Sequence, residues 1–357
     1  MAIDPNPLLF VSYPILQVSD ASCGGAEQML WVLEHELANR RQKTAVAACE
    51  GSCVSGELIA TGIAPTGSDG FEFRAAEHVR GVFKALQDRP WGMVHDKSGF
   101  WWEHAGECKI PVLVTLHLPR SFYLERLFRS ISPNVFFNCV SQSQAAEFRD
   151  LPRMLGVVAN GIVLDRFPFE RRKSDYVLWL GRICPEKAPH LAIDAARRAD
   201  VKLVIAGQVY PFQWHQTYFE REIKPRLESA GEKVRWIERP DFNEKLELIR
   251  HARAVLLSTQ APETSSLVAM EAAACGTPVI AFPNGAIPEI VQHRVTGFLV
   301  QDWKAMAHAI SDVDHLWPED ARAIAEERFS SLRMADEYER LYSEIAAEAA
   351  QCSRMAA

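Results

Sequence analysis

The stretch "DYVLWLGRICPEKAPHLAIDAARRADVKLVIAG", residues 175–207, predicts a strand, a helix and a second strand in succession. Both strand segments are continuous apolar runs, and the amphipathic segment "HLAIDAARRA" separates them. Such a pattern is typical of parallel sheets that are covered by helices on both faces. The stretch therefore predicts an α/β fold.

The same alternation extends in both directions along the chain. The first half contains the strand-like segments "LLFVSYPI", "TAVAAC", "PVLVTLH" and "NVFFNCVS", and the pattern restarts after the polar, aperiodic segment 160–175. A chain of 357 residues exceeds what one hydrophobic core usually supports. We therefore predict two doubly wound domains, 1–165 and 166–330, which face each other across a cleft, and a C-terminal helix in 331–357 that packs back on the first domain.

Composition narrows the class of protein. Apolar residues make up 48% of the chain and charged residues 24%, as in a soluble globular protein. The net charge of −7 argues against nucleic acid as the main partner, although a local basic pocket for a phosphorylated small molecule is compatible with it. With no basic segment ahead of the first apolar run, and no apolar run near the ~20 residues of a spanning helix, we expect a cytoplasmic protein.

The cysteines do not indicate a metal site. The eight cysteines are scattered, and the closest pair, Cys49 and Cys53, has no second pair at the spacing of a zinc site. The sequence therefore predicts free thiols in a reducing compartment and no bound metal.

The segment "WLGRICPEK", residues 179–187, places two cations after a strand. Arg182 and Lys187 flank a turn that leads into a helix, and both would lie at the carboxyl end of a parallel strand. Cations beside a helix N-terminus form a natural site for a diphosphate. The alternative is a solvated basic turn, which these residues alone do not exclude.

The segment "PETSSLVAMEAAACGTPVIAF", residues 262–282, predicts a loop, a short helix and a buried strand. Ser266 is a suitable N-cap and Gly276 a suitable residue just beyond the helix. Glu263 then lies in the loop, whereas Glu271 lies inside an apolar helix. A buried carboxylate needs a cation, hydrogen-bond donors or a polar ligand such as sugar hydroxyls, so Glu271 is either a ligand contact or a member of a structural ion pair.

Together, "GRICPEK" and "PETSSLVAMEAAACGTPVIAFPNGAIPEIVQHRVTGFLV" resemble glycosyltransferase family 4, which contains retaining enzymes with the GT-B fold of two Rossmann-like domains. The stretches "SDASCGGAEQML", "VTLH" and "VVANGIVLDRF" support the resemblance. It implies a metal-independent hexosyltransferase that needs no cofactor. Such an enzyme moves a sugar with retention from a nucleotide-diphosphate donor to an acceptor hydroxyl.

The resemblance implies a role for each matching residue. Arg182 and Lys187 would neutralise the leaving diphosphate, Glu263 would face the donor sugar, and Glu271 would accept hydrogen bonds from the ribose. His117 would contact the donor sugar. The backbone N–H groups of Ser266, Leu267 and Val268, at the start of the helix, would contact the donor. Gly24 and Gly25 would let a backbone loop approach the diphosphate and the acceptor closely. The sequence "TSS" at 264–266, where the family usually has Pro-Phe-Gly, leaves the donor sugar open.

Other functions and partners stay open at this point. A nucleotide-sugar epimerase or hydrolase could use the same fold, as could a non-catalytic binding protein. The acceptor is a sugar, a lipid-linked molecule or a small molecule, with at most peripheral membrane contact, and a homodimer is left open. The segment "RSFYLERLFRSI", residues 120–131, predicts an amphipathic helix, or alternatively a lip at the acceptor or membrane surface.

Overall fold

A computed structural model describes residues 6–22, 24–65 and 71–356, with the side chains of 71–73 and 352–356 left undescribed. The chain divides into two compact units. The first contains Met1–Gly161 and Ser331–Ala357, and the second contains Ile162–Ser330. The division after Gly161 lies in the polar segment 160–175 from which the sequence predicts a boundary.

The first unit is built on a parallel sheet. Its strands within the described residues are β1 (Leu8–Val11), β2 (Thr44–Ala48), β3 (Glu57–Ala60), β4 (Met93–Asp96), β5 (Val112–Thr115), β6 (Val135–Cys139) and β7 (Met154–Val157). The helices before the boundary are α1 (Gly25–Asn39), α2 (Phe71–Asp88) and α3 (Gln142–Glu147). The strand order is β3-β2-β1-β4-β5-β6-β7. The connections therefore change direction between β1 and β4, which is the switch point of this sheet.

The second unit repeats this architecture. Its strands are β8 (Tyr176–Leu180), β9 (Lys202–Ala206), β10 (Val234–Ile237), β11 (Ala254–Leu257), β12 (Val279–Ala281) and β13 (Gly297–Leu299). Its helices are α4 (Pro189–Arg198), α5 (Gln213–Tyr218), α6 (Lys224–Ala230), α7 (Phe242–His251), α8 (Leu267–Ala274), α9 (Ile287–Ile290), α10 (Trp303–Asp312) and α11 (Pro318–Arg328). The order β10-β9-β8-β11-β12-β13 places the switch point between β8 and β11.

The α/β prediction with parallel sheets is confirmed, because the strand pairs within both sheets are parallel. Strand β8 shows why its sequence is apolar throughout. Val177 and Trp179 pack into the core on one face of the sheet, whereas Leu178 packs into the core on the other face. A strand that is buried on both faces has no position for a polar side chain, so the alternation seen in half-exposed strands is absent.

The amphipathic helix predicted over 120–131 does not form. Two short 3₁₀ turns, Arg120–Phe122 and Glu125–Phe128, take its place. Tyr123 between them is extended, and its hydroxyl accepts hydrogen bonds from the N–H groups of His117 (3.1 Å) and Leu118 (3.3 Å). The extended Tyr123, which makes this local contact, separates the two turns.

The C-terminal helix α12 (Ser331–Ala356) belongs to the first unit, although it follows the second in sequence. Tyr338 on this helix is buried, and its hydroxyl lies 3.1 Å from Thr115 Oγ1 and 3.3 Å from Asn138 Nδ2. At the surface, Nη1 of Arg40, the residue that follows α1, donates to Asp336 Oδ1 at 2.6 Å. Neither α12 nor any other helix in the described part of the chain is long and apolar enough to cross a membrane.

Candidate active site

The predicted site residues of the second unit lie at its switch point. The turn after β8 carries Arg182 and Lys187, and the loop after β11 carries Glu263. Strands β8 and β11 are neighbours, so both segments leave the same edge of the sheet side by side. In open α/β sheets, ligands bind outside the carboxyl ends of the strands where the connections change direction.

Hydrogen bonds fasten the turn after β8 to the loop after β11. The N–H of Gln260 donates to the carbonyl of Glu186 at 2.7 Å. Ser258 Oγ donates to the carbonyl of Ala188 at 2.8 Å, and Trp179 Nε1 donates in turn to Ser258 Oγ at 3.2 Å. These hydrogen bonds hold the turn after β8 and the loop after β11 at a fixed distance from each other.

The turn presents its two cations differently. The Arg182 side chain is exposed, and its guanidinium carbon lies 5.7 Å from the centroid of the Tyr210 ring. Lys187 is half-buried and its Nζ forms an ion pair with Glu263 Oε1. The pair joins two residues to which the sequence assigned separate roles. One cation is therefore open to an incoming anion, and the other is held against a carboxylate.

Helix α8 begins and ends as the sequence predicts. Ser266 is the N-cap, and its hydroxyl accepts a hydrogen bond from the N–H of Ala269 at 3.4 Å. Gly276 follows the helix with φ +69°, and its N–H donates to the carbonyl of Ala273. The N–H groups of Leu267 and Val268 lie in the first turn, where the helix offers them no acceptor, so they point out of the helix start.

The loop around Glu263 depends on a glycine that sequence reasoning missed. The N–H of Ala286 donates to the carbonyl of Glu263 at 2.7 Å, and Glu263 forms a parallel bridge with Gly285. Gly285 has φ +64°, and a Cβ there would lie 2.2 Å from the carbonyl oxygen of Glu263. Because no larger residue fits this approach, Gly285 fixes the position of the carboxylate loop.

Glu271 has a cation partner within the chain. Lys245 on α7 places its Nζ 2.7 Å from Glu271 Oε1, and the two side chains are 17% and 5% exposed. The ammonium group also lies 5.3 Å from the Phe242 ring centroid and 5.7 Å from that of Phe167. Of the alternatives for Glu271, the structural ion pair is present, and its cation is a lysine that sequence reasoning missed. The pair leaves the second carboxylate oxygen of Glu271 as a further acceptor.

The predicted residues of the first unit lie at and beside its own switch point. Gly24 is the N-cap residue of α1, which follows β1, and Gly25 is the first residue of that helix. A Cβ on Gly24 would lie 2.0 Å from Glu27 Oε2, so the glycine allows this buried carboxylate to approach the helix start. Burial raises the pKa of Glu27.

His117 follows β5 and is half-buried. Burial lowers the pKa of His117 well below its ordinary value, and the positive charge of Lys97 adds to this effect, so the imidazole is neutral near pH 7. Lys97 itself follows β4, and its side chain was missed by sequence reasoning. It is buried, its Nζ has no hydrogen-bond partner among the described residues, and burial lowers its pKa to about 7.

The second unit matches a known family. The model of glycosyl transferases group 1 matches residues 164–328, which include Arg182, Lys187, Glu263 and Glu271. The D-inositol 3-phosphate glycosyltransferase of Mycobacterium sp. (strain KMS) is 31% identical over 193 residues, which cover 49% of this chain and 43% of that protein. The lipopolysaccharide 1,2-N-acetylglucosaminetransferase of Salmonella typhimurium is 24% identical over 230 residues, covering 62% and 56%. The chain thus spans about half the length of the curated relatives it matches.

Solved structures match over both units. A sucrose-phosphate synthase from Thermosynechococcus elongatus has a TM-score of 0.81 at 18% identity, with 96% of this chain and 100% of the other covered. Anabaena HepE in complex with UDP and glucose has a TM-score of 0.75 at 18% identity, with 95% and 100% covered. The fold is therefore that of GT-B glycosyltransferase structures, with two parallel-sheet α/β domains.

Proposed function

We propose that this chain is a retaining hexosyltransferase of glycosyltransferase family 4 that moves a sugar from a nucleotide-diphosphate donor to an acceptor hydroxyl. The observation that carries the proposal is the arrangement at the switch point of the second unit, where Arg182, the Lys187–Glu263 pair and the start of α8 come from two hydrogen-bonded segments. The family match over residues 164–328 and the names of the relatives support the same class of reaction.

The diphosphate is the leaving group, so the site must stabilise negative charge as the sugar departs. Arg182 can contact phosphate oxygens with two parallel N–H groups, and Lys187 supplies a compact positive charge. The N–H groups of Leu267 and Val268 add the partial positive charge of a helix start. The hydrogen bonds between the two segments set the backbone positions of these groups before the donor arrives, and charges placed in advance lower a transition state electrostatically. We propose that they neutralise the diphosphate without a divalent metal.

The Lys187–Glu263 pair connects donor binding to the chemistry. In the free protein the two charges compensate each other. A diphosphate carries more negative charge than one carboxylate and competes for the Lys187 ammonium, which releases Glu263 to face the reacting carbon of the donor sugar. Because retention places the acceptor on the face that the leaving group vacates, the acceptor proton passes to a diphosphate oxygen. This route needs no separate general base.

Glu271 would bind the ribose of the donor. Its Oε1 accepts a hydrogen bond from Lys245, which fixes the orientation of the carboxylate. The other oxygen would accept hydrogen bonds from the ribose hydroxyls. This role is testable with a nucleoside diphosphate and its 2′-deoxy analogue. Wild type should bind the ribose form more tightly, and Glu271→Gln should lose most of that preference; an unchanged preference would assign Glu271 to the ion pair alone.

Three residues of the first unit would contribute to binding of the donor and the acceptor. Gly24 and Gly25 would let the backbone approach the diphosphate and the acceptor closely. A neutral His117 can exchange hydrogen bonds with a sugar hydroxyl without adding a charge. The acceptor would be a sugar, a lipid-linked molecule or a small molecule in the cytoplasm.

A thermal-shift screen against the UDP, GDP, ADP and TDP forms of several sugars tests the proposal, because a ligand that binds the folded state raises Tm. Arg182→Ala and Lys187→Ala should each weaken binding of the donor that raises Tm in this screen, and each should reduce turnover. Arg198→Ala is the matched control, since Arg198 is an exposed arginine at the far end of α4. Unchanged binding in both site variants would refute the diphosphate assignment.

The reaction products distinguish the proposed transferase from the alternative functions. An NMR spectrum of the product should show the anomeric configuration of the donor. Release of free sugar and nucleotide without an acceptor would instead indicate an epimerase or hydrolase. Failure of every donor to shift Tm would favour a non-catalytic binding protein.

A further inference from the structure

Three potential metal ligands meet beside the turn that carries Arg182 and Lys187. They are the thiol of Cys184, the carboxylate of Glu186 and the imidazole of His215, and one ligand atom from each lies within 4.8 Å of the others. Cys184 and Glu186 belong to the turn after β8, whereas His215 is on α5. The sequence shows no metal-site spacing because the third residue comes from a different segment of the chain.

The histidine is the least satisfied member of this cluster. His215 is fully buried, and among the described residues neither of its ring nitrogens has a hydrogen-bond partner. Trp214 and Phe212 surround the ring, with centroid distances of 3.9 Å and 5.3 Å. Oε2 of Glu186 is also buried without a hydrogen-bond partner in the described part of the chain. Buried polar groups in this state cost free energy unless another partner satisfies them.

We propose that Cys184, Glu186 and His215 form a binding site for a zinc ion. Sulfur, imidazole nitrogen and carboxylate oxygen are the three ligand types that zinc binds in proteins. Zinc–ligand distances of about 2.0–2.3 Å place tetrahedral ligands roughly 3.3–3.8 Å apart, so small side-chain movements close the site. Three protein ligands leave the fourth position of the tetrahedron for water.

Cysteine and histidine bind zinc only in their deprotonated forms, so zinc affinity at this cluster should increase with pH.

The site lies between two segments of the second unit. Thiolate, carboxylate and Zn²⁺ together are neutral, so the occupied site carries no net charge beside Arg182 and Lys187. It joins the turn after β8 to α5 and thereby restricts the backbone that holds both cations. The proposal rests on the three ligands alone, so this inference stands whether or not the proposed function is correct.

Metal content of the purified full-length chain tests the site directly. After exposure to zinc and dialysis, wild type should retain about one zinc per chain. Cys184→Ser, His215→Gln and Glu186→Gln should lower affinity by more than the roughly 10–100-fold that loss of an outer-shell partner causes. Cys275→Ser is the matched control, because Cys275 is a buried cysteine of the same unit outside the cluster.

Cobalt provides an independent spectroscopic test of the three proposed ligands. Co²⁺ should give a thiolate-to-metal charge-transfer band in wild type and Cys275→Ser but not in Cys184→Ser. A circular dichroism melt shows whether each variant is folded. If Cys184→Ser or His215→Gln does not fold, zinc binding by Glu186→Gln still tests the site. The proposal is overturned if wild type retains no zinc and shows no cobalt band, or if the Cys184 and Glu186 variants bind zinc as wild type does. Nucleotide-diphosphate binding, measured separately, reports on the proposed function.

Discussion

Replacing Lys97 with methionine should stabilise the folded chain, and the gain should shrink as the pH rises. Lys97 is 1% exposed, and its ammonium group has no hydrogen-bond partner within the described residues. The Tyr338 ring, 5.3 Å from Nζ, gives it only a weak cation–π contact. Methionine has a similar length and no charge, so it should fill the same space without the cost of burying an amine.

The magnitude follows from the pKa of Lys97. Burial lowers it from 10.5 to about 7. Between pH 7 and pH 10.5, the Lys97 amine is protonated in the unfolded chain and neutral in the folded chain. Wild-type stability therefore rises with pH across this window and levels off below pH 7. At about 1.4 kcal/mol per pKa unit the penalty is ~4 kcal/mol at pH 7 and ~2 kcal/mol at pH 9. The advantage of Lys97→Met should therefore fall by ~2 kcal/mol between these two pH values.

Urea denaturation of wild type and variant at pH 7 and pH 9 measures this difference directly. Lys84→Met, at an exposed position of α2, is the matched control and should show no such change. The neighbouring His95 and His117 have lowered pKa values, and burial raises the pKa of Asp96 only to about 6, so these groups titrate below the window. A constant difference between wild type and variant from pH 7 to pH 9 would refute the reasoning.

Three further predictions concern the second unit. Glu271→Gln leaves the Lys245 ammonium without its carboxylate and should cost about 3–5 kcal/mol of unfolding free energy, whereas adding Lys245→Met should recover part of the loss; strictly additive effects would show that the pair is not coupled. Gly285→Ala forces a side chain against the Glu263 backbone at positive φ, so we expect a lower Tm together with weaker donor binding, and wild-type values of both would contradict the loop geometry. Ser266→Ala removes the α8 cap and should lower stability by about 1 kcal/mol in chemical denaturation; an unchanged midpoint would mean that the cap contributes nothing.

Local signals explain which features the sequence could predict. The limits of α8 follow from a serine whose hydroxyl caps the first turn and a glycine that adopts positive φ after the last one. Both effects act within a few residues, so they are visible in the sequence. The apolar character of β8 is equally direct, because each of its positions faces one core or the other.

Long-range contacts explain what the sequence could not predict. The partner of Glu271 is Lys245, which lies on another helix and is one of many lysines with no distinguishing neighbours. The Lys187–Glu263 pair was assigned to separate roles because only the adjacency of β8 and β11 brings the two side chains together. Strand β4 is short and contains His95 and Asp96, so it lacks the apolar signal of the other strands. Because β4 could not be predicted, the sequence does not show that Lys97 lies at the end of a strand.

The path of the chain through the first unit has a consequence for biosynthesis. On the ribosome, the strands of the first sheet emerge early, but α12, which supplies Tyr338 to Thr115 and Asn138, emerges only after the whole of the second unit. The second unit is one continuous segment and has all of its own strands as soon as residue 330 leaves the exit tunnel. During translation the first unit therefore lacks α12, and with it the partner of Thr115 and Asn138, until the second unit has been made.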